Sequence, residues 1–188
     1  MQFTATPLAI PEVLLIGARR FPDQRGFFMV TYEAGAFRRL GLPEFVQDNH
    51  AHSIAAGTIR GLHFQRPPHA QAKLVRVLRG AIFDVALDMR AGSPTLGRWV
   101  AATLTPESEQ IYVPRGFAHG YCTLAPDTAV SYRVDSTYAP EAEAGVRYSD
   151  PALGIDWPLP ASGAILNDKD RALPLMKDVA PFAAGSLQ

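Results

Sequence analysis

Prolines and glycines interrupt this chain at short intervals along its whole length. Sixteen prolines and fifteen glycines are spread through 188 residues, with no internal repeat or low-complexity tract. Proline removes a backbone donor and glycine favours turns, so long helices are disfavoured almost everywhere. The intervening segments are typical of short strands joined by tight turns. The spacing therefore predicts an all-β sandwich or barrel with a few short helices.

The clearest strands in the sequence are residues 71–78 and 81–89. Arg79-Gly80 lies between them, and a glycine there can supply the positive φ that a two-residue hairpin turn needs. We therefore expect a β-hairpin at this point. Turn residues before and after three other apolar runs predict further strands, at residues 98–104, 111–113 and 129–138.

Helical signals are few. Residues 33–40, followed by Gly41, predict about two helical turns that cover the sheet. Five prolines after residue 150 exclude long regular structure there, so residues 150–188 are expected to wrap the barrel or pack on a neighbouring subunit. Because 188 residues with 47% hydrophobic content suit one core, residues 1–188 are expected to form a single domain.

Composition excludes several classes of protein. Eighteen basic residues balance eighteen acidic ones, so a nucleic-acid partner is not expected. The first ten residues lack a signal-peptide pattern, and no segment approaches the ~20 apolar residues of a membrane span, which predicts a soluble, cytoplasmic protein without a membrane partner. The single cysteine, Cys122, excludes an internal disulfide and is expected to be a buried thiol.

The densest polar cluster falls on neighbouring β segments. It comprises residues 47–50, residues 60–65, Gln71 and Lys73. Alternation along residues 71–78 places Lys73 on the face that carries two valines, and an ammonium group on an interior face needs an anionic partner. The alternative is that Lys73 lies at the strand start and extends to water.

Two other side chains and one acidic turn join this cluster as candidates. Alternation along residues 129–135 directs Tyr132 inward with two valines, although a buried tyrosine usually only packs. His63 lies among residues that suit anion binding, and its alternative is a satisfied core histidine. The turn at residues 167–170 offers carboxylates that could orient an imidazole, although a solvated surface turn is the ordinary interpretation.

A metal site is not expected. Residues 114–119 match the second half of the usual metal pattern of small barrels, but His63 is followed by Phe64 and Gln65 instead of a His-x-His pair. His50 and His52 do form such a pair, but they precede the turn where the ligands belong. Fewer than three convergent ligands are therefore visible.

Taken in order along the chain, several short motifs are similar to those of one enzyme family. The chain resembles the dTDP-4-dehydrorhamnose 3,5-epimerases over residues 21 to about 174. The matching segments are Asp23-Gln24-Arg25-Gly26-Phe27-Phe28, Phe45-Val46-Gln47-Asp48-Asn49-His50, Arg60-Gly61-Leu62-His63-Phe64-Gln65, Lys73-Leu74-Val75-Arg76-Val77, Phe83-Asp84-Val85-Ala86-Leu87-Asp88, Gly92-Ser93-Pro94-Thr95, Pro114-Arg115-Gly116-Phe117-Ala118-His119-Gly120, Tyr138-Ala139-Pro140-Glu141 and Lys169-Asp170.

This resemblance implies a cupin-type jelly roll that inverts C3, C5 or both in a nucleotide-linked 4-keto-6-deoxy sugar, without metal or cofactor. His63 would be the base, Asp170 its orienting partner, Tyr132 the acid on the opposite face and Lys73 the group that holds the enolate oxygen. The implied substrate contacts are Arg25, Phe27, Gln47, Asn49, Arg60, His119, Tyr138, Glu143 and Lys169. A homodimer is also implied, in which the N-terminal strands of residues 1–45 carry Arg25 and Phe27 to a shared pocket.

Two positions depart from the family pattern. Val30 stands where the family commonly has a glutamate, and Ala51-His52 stands where it commonly has Ser-Arg. Both positions are near the expected nucleotide-sugar region, so they leave the reaction type unchanged but open the identity of nucleotide and sugar. The alternatives are a monoepimerase or ketoisomerase acting on another nucleotide sugar, a metal-dependent cupin enzyme, and a binding barrel without catalysis.

Overall fold

Two facing β-sheets form the body of the protein. The structure is a computed structural model that describes residues 2–187. The larger sheet has the order β1-β2-β10-β7-β12-β5. Its strands are β1 (Phe3–Pro7), β2 (Leu14–Ala18), β5 (Gln47–Ser53), β7 (Lys73–Arg79), β10 (Gln110–Val113) and β12 (Thr128–Val134).

The smaller sheet has five strands in the order β13-β6-β11-β8-β9. Its strands are β6 (Ile59–Gln65), β8 (Ile82–Asp88), β9 (Trp99–Leu104), β11 (Phe117–Thr123) and β13 (Glu143–Gly145). A separate ribbon pairs β3 (Arg20–Asp23) with β4 (Gly26–Met29). The prediction of an all-β sandwich is therefore confirmed.

The predicted hairpin at Gly80 is wrong. The chain does turn there, with φ +80° at Gly80, but β7 and β8 belong to different sheets. β7 pairs with β10 and β12, whereas β8 pairs with β9 and β11. A short glycine turn can connect two strands of a hairpin or two strands of different sheets. Which of the two forms depends on the strands that pair with β7 and β8, and these are distant in sequence, so the local sequence does not indicate the outcome.

The apolar residues form three layers because each sheet is covered on both faces. The central layer lies between the sheets and includes Val75, Val77 and Val130. This confirms the predicted inner faces of β7 and β12 and places Lys73 and Tyr132 on them. Strand β12 ends at Val134, earlier than predicted, where the Asp135 carboxylate accepts hydrogen bonds from Ala72 N at 2.7 Å and Arg115 Nε at 2.9 Å.

A short helix covers the outer face of the larger sheet. Helix α1 (Ala34–Arg39) begins where the Glu33 carboxylate accepts hydrogen bonds from two backbone amides, and it ends before Gly41, which has φ +77°. Its fully buried Phe37 packs with Leu74, so the predicted covering helix is confirmed. Leu74, on the outer face of β7, is therefore covered by a helix of the same chain.

The C-terminal segment covers the outer face of the smaller sheet. Its apolar side chains pack with those of β6, β8 and β11, and Cys122 is fully buried in this layer. Residues 165 and 182 form single bridges to residues 58 and 90. Between these bridges lies helix α2 (Asp168–Arg171). No helix within residues 2–187 is long and apolar enough to cross a membrane.

Candidate active site

A cavity of about 180 Å³ lies at one end of the space between the two sheets. Polar side chains from both sheets and from the C-terminal segment converge on it. It is lined by Ala51, Arg60, His63, Lys73, His119, Tyr121, Tyr132, Asn167 and Asp170. Six of these nine residues are predicted site residues, and they come from strands and a helix that are far apart in the sequence.

His63 and Asp170 form a tight pair at the floor of the cavity. The distance from His63 Nε2 to Asp170 Oδ1 is 2.6 Å, and the other carboxylate oxygen accepts a hydrogen bond from Gly61 N at 3.1 Å. The Asp170 side chain is 2% exposed, whereas His63 is 26% exposed towards the cavity. Burial raises the pKa of Asp170, but the hydrogen bond and the charge of His63 outweigh burial, so the pKa of this carboxyl is lowered.

Two local features bring Asp170 to His63. Asn167 caps helix α2 by accepting a hydrogen bond from Asp170 N at 2.7 Å, which fixes the start of this single turn. Gly61 has φ +124°, and a Cβ there would lie 2.6 Å from Gly120 Cα, so the glycine allows β6 and β11 to approach closely. This close approach sets the position of the Gly61 amide that binds the carboxylate.

Lys73 extends from the larger sheet towards the strand that carries His63. Its Nζ donates a hydrogen bond of 3.4 Å to the His63 carbonyl oxygen. Burial lowers the pKa of Lys73 to about 8, although the negative charges of Asp84 and Glu143 act in the opposite direction. The predicted interior ammonium is therefore present, and it has no direct ion pair among the described residues.

Tyr132 lies on the sheet opposite His63 and lines the same cavity. Burial raises the pKa of its phenol, whereas the charge of Arg60 lowers it. Arg60 Nη2 donates to the His52 carbonyl at 2.9 Å, and Arg60 Nε donates to Ser53 Oγ at 3.3 Å. These two bonds fix the guanidinium at the cavity wall near the phenol.

His119 is paired with a buried carboxylate. Its Nε2 lies 2.9 Å and 3.0 Å from the two oxygens of Asp84, which is fully buried. Strand register places His119 directly opposite His63 across β6 and β11. The pairs His63–Asp170 and His119–Asp84 therefore lie on adjacent strands, next to each other.

Two clefts adjoin the cavity and share lining residues with it. The first, of about 90 Å³, shares His63, Lys73 and Tyr132 with the cavity and adds Tyr138 and Glu143. The second, of about 240 Å³, is lined by Gln47, Asn49, Gln71, Tyr132, Val134 and Tyr138. Shared lining residues make these three spaces one groove.

A polar chain borders this groove. Tyr138 Oη donates to Glu143 Oε2 at 2.5 Å, and Lys169 forms an ion pair with the same oxygen. Burial raises the pKa of Glu143, but its bonds to Lys169 and Tyr138 outweigh burial and lower it. The bond to Glu143 in turn raises the pKa of Lys169. Lys169 thus reaches the site through Glu143.

Two predicted site residues are not brought to the groove. Arg25 and Phe27 lie on the β3–β4 ribbon, where the Arg25 side chain is 84% exposed and Phe27 is 54% exposed. Neither lines any of the three connected spaces. Arg25 instead pairs with Asp23 of its own ribbon at 2.6 Å.

Sequence analysis did not select three residues that line the cavity. Tyr121 lies two positions after His119 on β11, so strand alternation alone could have placed it on the inner face. Asn167 was recognised only as part of a polar turn, and its cavity position depends on the fold of the C-terminal segment. Ala51 carries no polar group and gives no signal.

Among residues 2–187, neither a metal cluster nor a larger cavity elsewhere in the fold offers a competing site. Within residues 2–187, no three His, Cys, Asp or Glu side chains are grouped closely enough to hold a metal ion. A larger cavity of about 350 Å³ lies by β1, β2 and the loop before β10, and its lining contains none of the predicted residues. It also lacks a histidine, and the glutamates 107 and 109 at its wall have no imidazole to orient.

These features define the class of protein. It is a double-sheet β-barrel with a cavity lined by a carboxylate-oriented imidazole, an ammonium group and a phenol. Such a set of groups is suited to moving protons at carbon or oxygen rather than to binding a metal.

Comparison with known proteins identifies the family. The family model described as dTDP-4-dehydrorhamnose 3,5-epimerase matches residues 7–178, and the chain belongs to this family. A dTDP-4-dehydrorhamnose 3,5-epimerase of Sinorhizobium fredii is 49% identical over 172 residues, which cover 89% of this chain and 86% of the relative.

Solved structures of the family superpose closely on this fold. The dTDP-4-dehydrorhamnose 3,5-epimerase of Bacillus anthracis, bound to TDP and PPi, has a TM-score of 0.88 and 45% identity, covering 92% of this chain and 99% of that one. The dTDP-6-deoxy-D-glucose-3,5-epimerase of Legionella pneumophila, in complex with dTDP-4-keto-L-rhamnose, has a TM-score of 0.89 and 40% identity, covering 94% of each chain. The expected cupin-type jelly roll is thereby confirmed.

Proposed function

We propose that this protein is an epimerase that inverts C3, C5 or both in a dTDP-linked 4-keto-6-deoxy sugar. The observation that carries the proposal is the convergence of His63, Lys73 and Tyr132 on one cavity from both sheets. Membership of the family and the dTDP-sugar bound to the Legionella pneumophila relative supply the substrate class.

His63 acts as the base in this proposal, and Asp170 positions it. If the proton on Nε2 is shared with Asp170, the other ring nitrogen is left free to accept a proton from carbon. The buried carboxylate then stabilises the imidazolium that forms. Asp170 acts through His63, so it is a positioning residue.

Lys73 stabilises the enolate. A carbon acid beside a ketone is too weak for an imidazole alone, so the negative charge that develops on the C4 oxygen must be offset. One preorganised donor in a cavity poor in water supplies roughly 3 to 4 kcal/mol of this stabilisation. The Nζ of Lys73 lies against the strand of His63, which suits contact with an oxygen next to the carbon that loses its proton.

Tyr132 supplies the proton on the other face of the sugar. Inversion requires that a proton leave from one side and arrive from the opposite side, so two groups must face each other across the ring. His63 belongs to the smaller sheet and Tyr132 to the larger one, and both line the same cavity. The raised pKa of Tyr132 keeps the phenol protonated until it donates.

The nucleotide occupies the outer part of the groove in this proposal. The cleft lined by Gln47, Asn49 and Tyr138 offers amides and a half-exposed ring against which a base can stack. Arg60, His119, Glu143 and Lys169 would contact the sugar and diphosphate between this cleft and the cavity.

Proton exchange with solvent tests the function. The protein is incubated with dTDP-4-keto-6-deoxyglucose in deuterated water, and the sugar is followed by NMR. We expect deuterium at both C3 and C5 for a double epimerase and at one carbon for a monoepimerase. Absence of deuterium from both carbons would exclude this substrate, and conversion to a 3-keto isomer would indicate a ketoisomerase.

We also propose that the protein is a homodimer whose partner completes the groove. The β3–β4 ribbon exposes three aromatic side chains, Phe21, Phe27 and Phe28, at 43%, 54% and 67%. Such a patch on a two-stranded ribbon indicates a contact surface. Arg25 and Phe27 would then enter the groove of the second subunit, which accounts for their distance from the groove of their own chain.

Mixing two inactive variants tests the shared groove. We expect Arg25→Ala and His63→Ala each to have little activity alone and to regain activity when they are unfolded and refolded together. Random pairing makes about half of the dimers mixed, and each mixed dimer has one intact groove, so activity should reach up to about a quarter of the parental value. The measurement is turnover of the mixture, with light scattering to establish the mass. A mixture no more active than its components, or a stable, fully active 20.4 kDa monomer, would contradict the proposal. A cytoplasmic location remains a prediction from the sequence.

A further inference from the structure

The Tyr138 loop, residues 135–139, obtains most of its hydrogen bonds from glutamine side chains. It follows β12 and has no regular secondary structure. Within the part of the chain that the structure describes, residues 136–138 make no hydrogen bond to another backbone group. Three glutamines from different strands and loops bind them instead: Gln47, Gln65 and Gln71. The loop is thereby attached to both sheets, since Gln47 begins β5 of the larger sheet and Gln65 ends β6 of the smaller one.

Gln65 binds the backbone immediately before and after Tyr138. Its amide nitrogen donates to the carbonyl oxygens of Thr137 at 3.3 Å and His69 at 2.7 Å, and its oxygen accepts from Ala139 N at 2.8 Å. Because a carbonyl only accepts and a backbone N–H only donates, the carboxamide has one orientation, and both of its N–H groups are used. The side chain is 3% exposed, so these bonds are shielded from water.

Gln71 and Gln47 bind the rest of the loop. Gln71 Nε2 donates to the Ser136 carbonyl oxygen at 2.6 Å, and Tyr138 N donates to Gln47 Oε1 at 3.1 Å. Each residue from 136 to 139 therefore has one backbone hydrogen bond to a glutamine side chain.

The Tyr138 ring is exposed, but both of its ends are held. The ring is 53% exposed and lines two of the connected spaces. Its hydroxyl donates to Glu143, which lies directly opposite Gln65 in the pairing of β6 and β13. An exposed ring on an unpaired loop ordinarily samples several positions, and a ligand that stacks on it loses affinity by having to order it. Here the ordering accompanies folding, because the glutamines fix the backbone and Glu143 fixes the hydroxyl.

We propose that Gln65 and Gln71 are positioning residues for nucleotide binding, because they fix the Tyr138 loop and so hold the Tyr138 ring in place for the base. This role rests on the proposed function, in which the base stacks on Tyr138. Both glutamines act through the backbone of the loop, whereas Gln47 and Asn49 are assigned direct contacts with the substrate.

A double-mutant cycle with Tyr138 tests this role through the affinity for dTDP, measured by isothermal titration calorimetry. Gln65→Met nearly preserves the volume and removes all three hydrogen bonds. We expect it to weaken dTDP binding about 10-fold, because the loop then occupies the binding position only part of the time. In a Tyr138→Ala background, the same substitution should weaken binding less than about twofold, since the ring that Gln65 positions is absent.

Gln110→Met is the matched control. Gln110 is also a buried glutamine that donates to a backbone carbonyl, that of Thr31, but it lines the separate larger cavity. This variant should leave the affinity for dTDP unchanged, and melting temperatures show how far each variant is destabilised. Parental affinity in Gln65→Met, an equal loss with and without the Tyr138 ring, or a similar loss in Gln110→Met would each overturn the positioning role.

Gln71→Met decides the question if Gln65→Met does not fold, because Gln71 is only half-buried and makes a single bond to the loop. We expect a decrease in dTDP affinity of about 3-fold that disappears in the Tyr138→Ala background. Additive effects of the two substitutions would overturn the role. If the parent binds no dTDP and exchanges no deuterium, the proposed function fails and this role with it; if the parent binds and exchanges but the effects are additive, only the positioning role fails.

Discussion

Replacing Lys73 with methionine is expected to reduce turnover by about 10²-fold or more while changing the affinity for the nucleotide sugar far less. The charge that Lys73 complements develops mainly in the transition state, so its loss affects the chemical step more than ground-state binding. Methionine nearly preserves the volume but removes the charge and the hydrogen bond that Nζ donates to the His63 carbonyl oxygen. Turnover and nucleotide-sugar affinity are measured on the same preparation.

The pH profile gives a second measurement on Lys73. Because the ammonium form is needed and burial lowers the pKa to about 8, parental activity should fall as the pH rises through this value. The lowered pKa of Lys73 also means that the charged form, which the reaction needs, destabilises the folded protein. Below pH 8 the folded protein contains a poorly solvated charge, so Lys73→Met should melt at a higher temperature than the parent at neutral pH. This difference should shrink as the pH rises from 8 to 10.5, where the unfolded lysine also loses its proton.

Lys177→Met is the matched control because Lys177 is exposed on a short turn outside the groove. It should leave turnover, affinity and the alkaline decline unchanged. If Lys73→Met weakened binding strongly and kept kcat near that of the parent, Lys73 would be a ground-state contact to phosphate or sugar. The stabilisation of the enolate would then have to come from another cation, such as Arg60.

His63→Ala and Tyr132→Phe are expected to impair the reaction in different ways. Loss of the base should reduce exchange and epimerisation together, by roughly 10²-fold or more. Loss of the phenol should suppress inverted product but leave part of the hydrogen exchange, because His63 can still remove and return a proton on its own face. Deuterium incorporation and product formation are followed in the same sample by NMR.

Circular dichroism is used to check that both variants are folded. The control variants change a histidine and a tyrosine that lie outside the groove. His50→Ala and Tyr112→Phe serve this purpose, and both should retain parental exchange and product formation. Parental epimerisation by Tyr132→Phe would show that another group donates the proton. Tyr121 would then be the first candidate, because it is the other phenol that lines the cavity.

Local sequence determined most of the elements of this fold. The distribution of proline and glycine excluded long helices, and alternation along two strands placed Lys73 and Tyr132 on inner faces, as the structure confirms. Helix α1 was also predictable, because its ends are specified by Glu33 and Gly41 within the helix's own neighbourhood. Each of these features depends on residues a few positions apart.

The sequence motifs also indicated which residues form the site. The motifs indicate His63, Lys73, Tyr132 and Asp170, and the structure gathers all four around one cavity. Their proposed roles still await the experiments above. Tyr121 also lines the cavity, but the sequence does not distinguish it from a tyrosine that only packs.

Tertiary structure alone decided how the elements meet. The turn at Gly80 was predicted correctly, but only the pairing of β7 with β12 and of β8 with β11 made it a corner between sheets. Asp170 reaches His63 across a sequence separation of 107 residues because the capped helix α2 docks beside Gly61. Sequence alone determines which faces are apolar and where the chain can turn, because these depend on neighbouring residues. Strand partners and the carboxylate that orients His63 depend on non-local contacts, which form only when the two sheets pack together.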